Sequence, residues 1–316
     1  MKIAVVARLD AGASALLREE LSGLDVVWAM RTGPTSGWQD EFAFCDVIFG
    51  NVPASWVQHL TALKWLQLES IGFEQYSEVA PEIKFRRVQL TNLRGQFTYP
   101  VAETALAGTL ALMRSLDQLL PAQTERRWAN SEIRPSTTCL HGKEVLILGA
   151  GAIGQELRHL FSAFDCRVRS FARSGAIAEL RTFVELDAAL SSAKVVANCL
   201  PGTADTELLI DGTRISSMDP SAIFVNVGRG SVIDEEALAS ALTAGKLGGA
   251  VLDVTAIEPL PRESPIWSTP RTILTQHTGG GYGEELIDKA NRFLRNLTRW
   301  REALPLQNPV DWERGY

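Results

Sequence analysis

Short apolar runs rich in β-branched residues alternate with helical patterns over the first part of the chain. Apolar runs occupy residues 3–8, 25–30 and 46–51, with helical periods between them at 14–24 and 38–44. Strands that take turns with helices need crossover connections, so this segment predicts a compact α/β unit around a parallel sheet. An Ala- and Leu-rich helical period then runs from 100 to 120, opened by Pro100, whose missing N–H costs nothing in a first helical turn. It predicts one long helix of the kind that bridges two domains, followed by a polar, irregular stretch at 121–138. A second alternation begins at Val145-Leu146-Ile147-Leu148 and continues through Val195-Val196-Ala197, Ile223-Phe224-Val225 and Ala250-Val251-Leu252. These runs are almost wholly apolar, as in the interior of a parallel sheet covered on both faces. A closing helical period at 284–303 is long enough to return to the first unit and complete it.

Composition agrees with this architecture and narrows the partners. A chain of 316 residues, 46% hydrophobic and 22% charged, is globular and long enough for two domains. Its net charge of -6 and pI near 5.4 provide no basic field for a phosphate backbone, so nucleic acid is not expected as a partner. The opening residues read as a first strand and not as a signal peptide, and no apolar run approaches the ~20 residues that cross a bilayer. The expectation is a cytoplasmic protein with no membrane partner. Cys45, Cys139, Cys166 and Cys199 are scattered without a C-x-x-C pair, which predicts reduced thiols and no metal site.

The strongest chemical signal is the run 145–157, Val-Leu-Ile-Leu-Gly-Ala-Gly-Ala-Ile-Gly-Gln-Glu-Leu. An apolar strand leads into Gly149, Gly151 and Gly154 in G-x-G-x-x-G spacing, and an amphipathic helix follows. Gly149 would permit the tight turn, Gly151 the approach of the backbone to a pyrophosphate, and Gly154 the close packing of helix on strand. Unpaired N–H groups at the helix start, around Ala152 and Ile153, would meet the anion. The flanking strand and helix make the spacing far more specific than glycines alone, and predict a dinucleotide-binding domain.

The next strand is expected at 166–171, and at its end an Asp or Glu ordinarily holds the adenosine ribose 2'-hydroxyl. This chain has Ala172-Arg173-Ser174 there. A guanidinium can hold a 2'-phosphate through two N–H groups, and the serine hydroxyl can add a contact. The expected cofactor is NADP(H) in preference to NAD(H), with use of either as the alternative if Arg173 is a solvated surface charge.

Reduction of a 2-oxo acid needs a cation for the carboxylate and a proton donor for the developing alkoxide, both delivered at the carboxyl edge of the sheet. Arg229 follows the strand expected at 222–227, Glu258 the strand ending at Val254, and His277 the strand at 272–276. A lone histidine is ordinarily structural. A carboxylate beside it would favour the protonated imidazole and aim its proton, as an acid/base requires. The sequence leaves open whether Glu258 reaches His277.

Together these residues resemble the D-isomer-specific 2-hydroxyacid dehydrogenases, especially the glyoxylate/hydroxypyruvate reductase branch, over nearly the whole chain. Val101-Ala102-Glu103-Thr104-Ala105-Leu106 is similar to the family's V-A-E-x-A-L helix start, and Leu140-His141-Gly142-Lys143 to its L-x-G-K. Leu200-Pro201 with Thr203 and Thr206 is similar to its L-P-x-T-x-x-T, and residues 226–238 to its N-x-x-R-G-x-x-x-D-E-x-A-L. The ending at 308–316 also has the family's look. The resemblance implies two doubly wound parallel-sheet domains: a Rossmann cofactor domain, 98–289, inserted into a smaller flavodoxin-like substrate (lid) domain, 1–97 with 290–316. It implies that Arg229 binds the substrate carboxylate and carbonyl oxygen, that His277 is the acid/base, and that Glu258 orients it. Asp253 would hold the nicotinamide carboxamide, and the N–H groups of Ser70-Ile71-Gly72 would grip the carboxylate as a small anion nest. Further cofactor contacts are implied at Leu200, Pro201, Thr206, Val227, Gly279 and Gly280, and a homodimer through the cofactor domain and residues 100–135.

The chain departs from the family's pattern at Gln276, where proline usually precedes the histidine, and at Thr255-Ala256, where an aromatic residue is usual. It departs again at Glu74, where the substrate loop usually has Asp. None of these removes a catalytic group, and each alters the pocket. The expected activity is NADPH-preferring reduction of a small 2-oxo acid to the D-2-hydroxy acid. The alternatives are an NAD-dependent dehydrogenase of a bulkier acid and a non-catalytic dinucleotide-sensing protein. Formate dehydrogenases share the architecture, yet hydride abstraction from formate needs no acid/base pair, so Glu258 with His277 points away from that activity.

Overall fold

The computed structural model describes residues 1–29, 40–173, 175 and 177–312, which form two units, Met1–Gln96 with Tyr282–Tyr316, and Phe97–Gly281. The sequence expectations at Met30, Trp38, Ser174 and 313–316 lie outside the described residues.

The first unit holds five strands, β1 (Lys2–Val5), β2 (Asp25–Trp28), β3 (Val47–Phe49), β4 (Trp65–Gln67) and β5 (Gln89–Thr91), in the order β2-β1-β3-β4-β5. Every pairing is parallel, and the order is that of a flavodoxin-like sheet. The strands are shorter than the apolar runs because the runs end in loops at the carboxyl edge. After β1, for example, Val6 and Ala7 both donate to Phe49 O, at 2.9 and 3.0 Å, which turns the chain out of the sheet. The helix expected at 14–24 starts earlier, at Ala11–Glu20, because the Asp10 carboxylate accepts the Ala13 N–H at 2.7 Å and caps it. The helical period at 38–44 is represented by a 3-10 turn, Asp40–Phe44.

The closing helix, Glu285–Arg301, packs Ala290, Phe293 and Leu297 with Ile3, Val5, Leu17, Phe49 and Trp65 in one apolar cluster. It belongs to the first unit as a whole. The domain boundary expected at 289–290 is therefore corrected: it falls at Gly281–Tyr282, since a continuous helix offers no break and the glycine run ahead of it does. The other boundary lies at Gln96–Phe97, one residue before the expected position.

The second unit holds β6 (Glu144–Leu148), β7 (Arg167–Phe171), β8 (Val195–Asn198), β9 (Ile223–Asn226), β10 (Gly249–Leu252) and β11 (Thr272–Leu274), in the order β11-β10-β9-β8-β6-β7. A parallel bridge from Phe171 to Leu180 adds a one-residue strand outside β7, completing the doubly wound dinucleotide-binding order. All pairings are parallel, and successive residues of β6 enter opposite cores, Leu146 and Leu148 one, Val145 and Ile147 the other. This is the sheet covered on both faces that the apolar runs predict.

The single helix expected at 100–120 is two, Thr98–Met113 and Leu116–Thr124, the second extending into the stretch expected to be irregular. A further short helix, Asn130–Ile133, lies within that stretch. Buried Ser115 separates the long pair with φ +54°. Arg271 makes this break stable, donating to Leu112 O at 2.7 Å and pairing with Asp117 at 3.2 Å, so the last carbonyls of the first helix are capped from a distant segment. Among the described residues no helix is long and apolar enough to cross a membrane, and no group of three His, Cys, Asp or Glu is placed to hold a metal ion.

Candidate active site

Winding of the second sheet reverses between β6 and β8, and the crevice beyond the carboxyl ends of strands at such a point is where an α/β sheet receives a dinucleotide. The glycine turn after β6 lies there. Gly149 has φ +119°, and a Cβ on it would come within 2.8 Å of Cys199 Sγ. A Cβ on Gly154 would lie 2.2 Å from Gly149 O, so the helix Ala152–Ser162 packs on the turn only with glycine there. A Cβ on Gly151 would instead meet nothing within 4 Å, and that residue caps the helix with no side-chain bond. The first-turn N–H groups at Ala152 and Ile153 thus border an open cradle that fits a pyrophosphate. Burial pushes the Cys199 thiol up to about 12, so the floor of the turn presents no thiolate to an anion.

Arg173 follows β7 in an exposed turn. Its Nη1 lies 2.6 Å from Asp205 Oδ2, in the loop after β8. Arg181 holds the same turn by donating to Arg173 O at 3.2 Å and Gly175 O at 3.0 Å. In the loop after β8, the hydroxyl of buried Thr206 is 2.6 Å from Pro201 O and accepts the Thr203 N–H at 2.9 Å. Thr206 therefore shapes the segment that carries Leu200 and Pro201.

The polar residues expected after β9, β10 and β11 are brought to one edge. His277 Nδ1 lies 2.6 Å from Glu258 Oε2, and the other carboxylate oxygen accepts the Thr255 N–H at 3.0 Å. Both side chains keep substantial exposure, 56% for His277 and 36% for Glu258, so the pair can exchange a proton with a small molecule. Gln276 and His277 both adopt left-handed backbone, φ +52° and +57°, which costs about 1–2 kcal/mol per non-glycine residue. The turn is anchored by His277 N donating to Asp253 O at 2.5 Å. Buried Asp253 also accepts from Gly279 N at 2.9 Å and Thr275 Oγ1 at 2.5 Å, which fixes the carboxylate beside Gly279.

Arg229 follows β9, and its Nη1 donates to Gly228 O at 2.9 Å. A Cβ on Gly230 would come within 2.0 Å of Thr255 C, so the Arg229 loop is seated against the loop that carries Glu258. Two wholly buried asparagines hold it. Asn198 Nδ2 donates to Asn226 Oδ1 at 2.8 Å, and Asn226 Nδ2 donates to Arg229 O at 3.1 Å. The Leu200 N–H returns to Asn198 Oδ1 at 3.2 Å, and the Val227 N–H bonds Asn198 O at 3.0 Å. Asn198 carries no part in the sequence reading. Its one signal there is a polar residue closing an otherwise apolar strand, repeated by Asn226 on the neighbouring strand.

In the first unit, Ser70, Ile71 and Gly72 follow β4. Their carbonyls accept from Leu93 N at 3.0 Å, Asn92 Nδ2 at 2.9 Å and Ser70 Oγ at 2.7 Å respectively. Asn51 braces the loop through Ser70 Oγ at 3.1 Å and Glu69 N at 3.1 Å. Tied by its carbonyls, the loop can present its N–H groups to an anion.

A dinucleotide cradle at the switch point of a doubly wound sheet, with an imidazole–carboxylate pair on the same sheet edge, defines a nicotinamide-dependent oxidoreductase. The chain belongs to the D-isomer specific 2-hydroxyacid dehydrogenase family, whose NAD binding domain matches residues 106–279. Glyoxylate/hydroxypyruvate reductase B of Pectobacterium carotovorum is 32% identical over 254 residues, 78% of this chain and 79% of that one. The crystal structure of a D-isomer specific 2-hydroxyacid dehydrogenase family protein from Aeromonas salmonicida superposes with a TM-score of 0.82 at 29% identity, covering 98% of this chain and 99% of that one. A D-isomer specific 2-hydroxyacid dehydrogenase from Xanthobacter autotrophicus, in complex with NADPH and MES, superposes with a TM-score of 0.81 at 25% identity, covering 100% and 99%.

Proposed function

We propose that this chain reduces a small 2-oxo acid of the glyoxylate or hydroxypyruvate kind to the D-2-hydroxy acid, with NADPH preferred over NADH. The observation that carries the reading is the 2.6 Å contact of His277 Nδ1 with Glu258 Oε2 on the sheet edge that also bears Arg229. The dinucleotide, when bound, supplies the hydride to the 2-oxo carbon. Glu258 accepts a hydrogen bond from the His277 Nδ1–H, which leaves Nε2–H as the group that hands a proton to the developing alkoxide. Arg229 offsets the substrate carboxylate and polarises the carbonyl, held by the asparagine pair beneath its loop. Asp253 is assigned to the nicotinamide carboxamide, and the N–H groups of Ser70, Ile71 and Gly72 are a second anion-binding element assigned to the acid. NADPH is favoured because Arg173 stands where a ribose-binding acid ordinarily does, and the Xanthobacter relative was solved with NADPH. We assign a homodimer, supported by the exposed Leu119, Leu120 and Trp128 of the segment after the long helix, and keep the cytoplasmic location as an expectation of the sequence.

Thr255 and Ala256 favour a second reading, a bulkier 2-oxo acid, since both are small beside Glu258. Purified protein with NADPH or NADH, offered glyoxylate, hydroxypyruvate and aryl-substituted pyruvates, separates the two by loss of nicotinamide absorbance. No turnover on any of them with dinucleotide binding intact would leave a dinucleotide-sensing protein. His277→Ala is expected to lower kcat by about 10²-fold or more while sparing dinucleotide binding, and Arg229→Ala to raise KM and lower kcat together. An undiminished rate in either variant refutes its assigned role.

A further inference from the structure

The Arg173–Asp205 ion pair is a feature of the cofactor edge that the proposed chemistry does not use. Arg173 follows β7 and Asp205 follows β8, and β6 lies between those strands. A pair linking the two segments therefore crosses the carboxyl end of β6, where the glycine turn sits. The Arg173 turn is close to that cradle, since a Cβ on Gly175 would lie 3.0 Å from Ala150 Cβ. Asp205 is held in place by its loop, through the Thr206 hydroxyl on Pro201 O and the Thr206 and Glu207 N–H groups on Thr203 O, both at 2.9 Å.

We propose that Asp205 is a specificity-determining residue for the dinucleotide, an internal counterion that competes with the 2'-phosphate for Arg173 and keeps the guanidinium when NADH is bound. The inference rests on the reading of Arg173 as the 2'-phosphate ligand. Both partners are largely exposed, 67% and 64%, so exchanging a carboxylate for a phosphate needs little desolvation. A phosphate monoester offers more charge and more acceptor oxygens than one carboxylate, so NADPH displaces Asp205 and still meets its residual repulsion. NADH has no group to offer, and the pair stays closed without leaving an uncompensated charge beside the ribose. Arg181 is engaged with the carbonyls of Arg173 and Gly175.

The test is dissociation constants for NADPH and NADH, from tryptophan-to-nicotinamide energy transfer, in the unaltered chain and two exposed-site variants. Asp205→Asn is expected to tighten NADPH by about two- to fivefold and leave NADH unchanged. Arg173→Ala is expected to weaken NADPH by about tenfold or more, again sparing NADH. Unchanged NADPH affinity in Arg173→Ala would overturn the underlying reading of Arg173. Loss in Arg173→Ala together with no change, a loss, or an equal gain for both dinucleotides in Asp205→Asn would overturn the role of Asp205 alone.

Discussion

Glu235 is half-buried, accepts the Ala256 N–H at 2.6 Å, and titrates above the ordinary carboxylate range because burial, and then the charge of Glu258, disfavours its ionised form. A carboxyl raised in this way stabilises the fold below its unfolded value, near 4.5, and that contribution is lost as pH rises through the folded value. Glu235→Gln keeps an acceptor for Ala256 and never ionises. Its thermal unfolding midpoint should lie above that of the unaltered protein at neutral pH, with the two converging below about pH 4. Midpoints that stay parallel across the range would rule this out. At this scale the sequence reveals residue types but not partnerships. Arg229, Glu258 and His277 are legible as candidates because each follows an apolar run, whereas the contact between His277 and Glu258 depends on where two loops meet. Asp205 and Asn198 are not legible for the same reason, since Arg173 and Asn226, which pair with them, lie far away in the sequence.

The turn after β11 departs from what proline allows. Proline fixes φ near −65°, while Gln276 sits at +52°, so the residue that usually precedes the family's histidine cannot occupy this turn as it stands. Gln276→Pro should cost of order 2–3 kcal/mol and lower kcat by displacing His277, with dinucleotide affinity retained. Gln276→Gly should gain about 1 kcal/mol by relieving the left-handed strain. Urea unfolding and steady-state kinetics report both, and a proline variant as stable and active as the parent would show that the turn is not held in this form. Elements themselves were legible where the apolar period was strong: the strands of the second sheet stand where the runs predicted. The break at Ser115 is less legible, because Ser115 makes no side-chain cap bond and the group that caps the first helix, Arg271, is distant in sequence. Helix starts shifted for a related reason, as Asp10 shows, since a cap outranks the apolar period that follows it.

Both units have parallel doubly wound sheets, and the alternation of runs made that class legible from the chain. The boundary after the second unit lies earlier than the sequence predicts, because the closing helix has one unbroken period and periodicity cannot show which sheet a helix covers. Hydrogen exchange over the whole molecule offers a further check on the site. NADPH should protect 149–154, 200–206 and 253–279, while oxamate, an unreactive 2-oxo acid analogue, added with it should slow the N–H groups of 70–72. Unaltered exchange at 70–72 would remove that loop from the substrate assignment. The interleaved order of the units also bears on synthesis. Phe293 stacks on Phe49 at 4.6 Å and on Trp65 at 5.5 Å, so the first sheet's aromatic face is closed by a helix translated after the entire second unit. A nascent chain on the ribosome therefore carries Phe49 and Trp65 without their Phe293 cover until the whole second unit has been synthesised, and apolar surface left open during synthesis is surface open to misassociation.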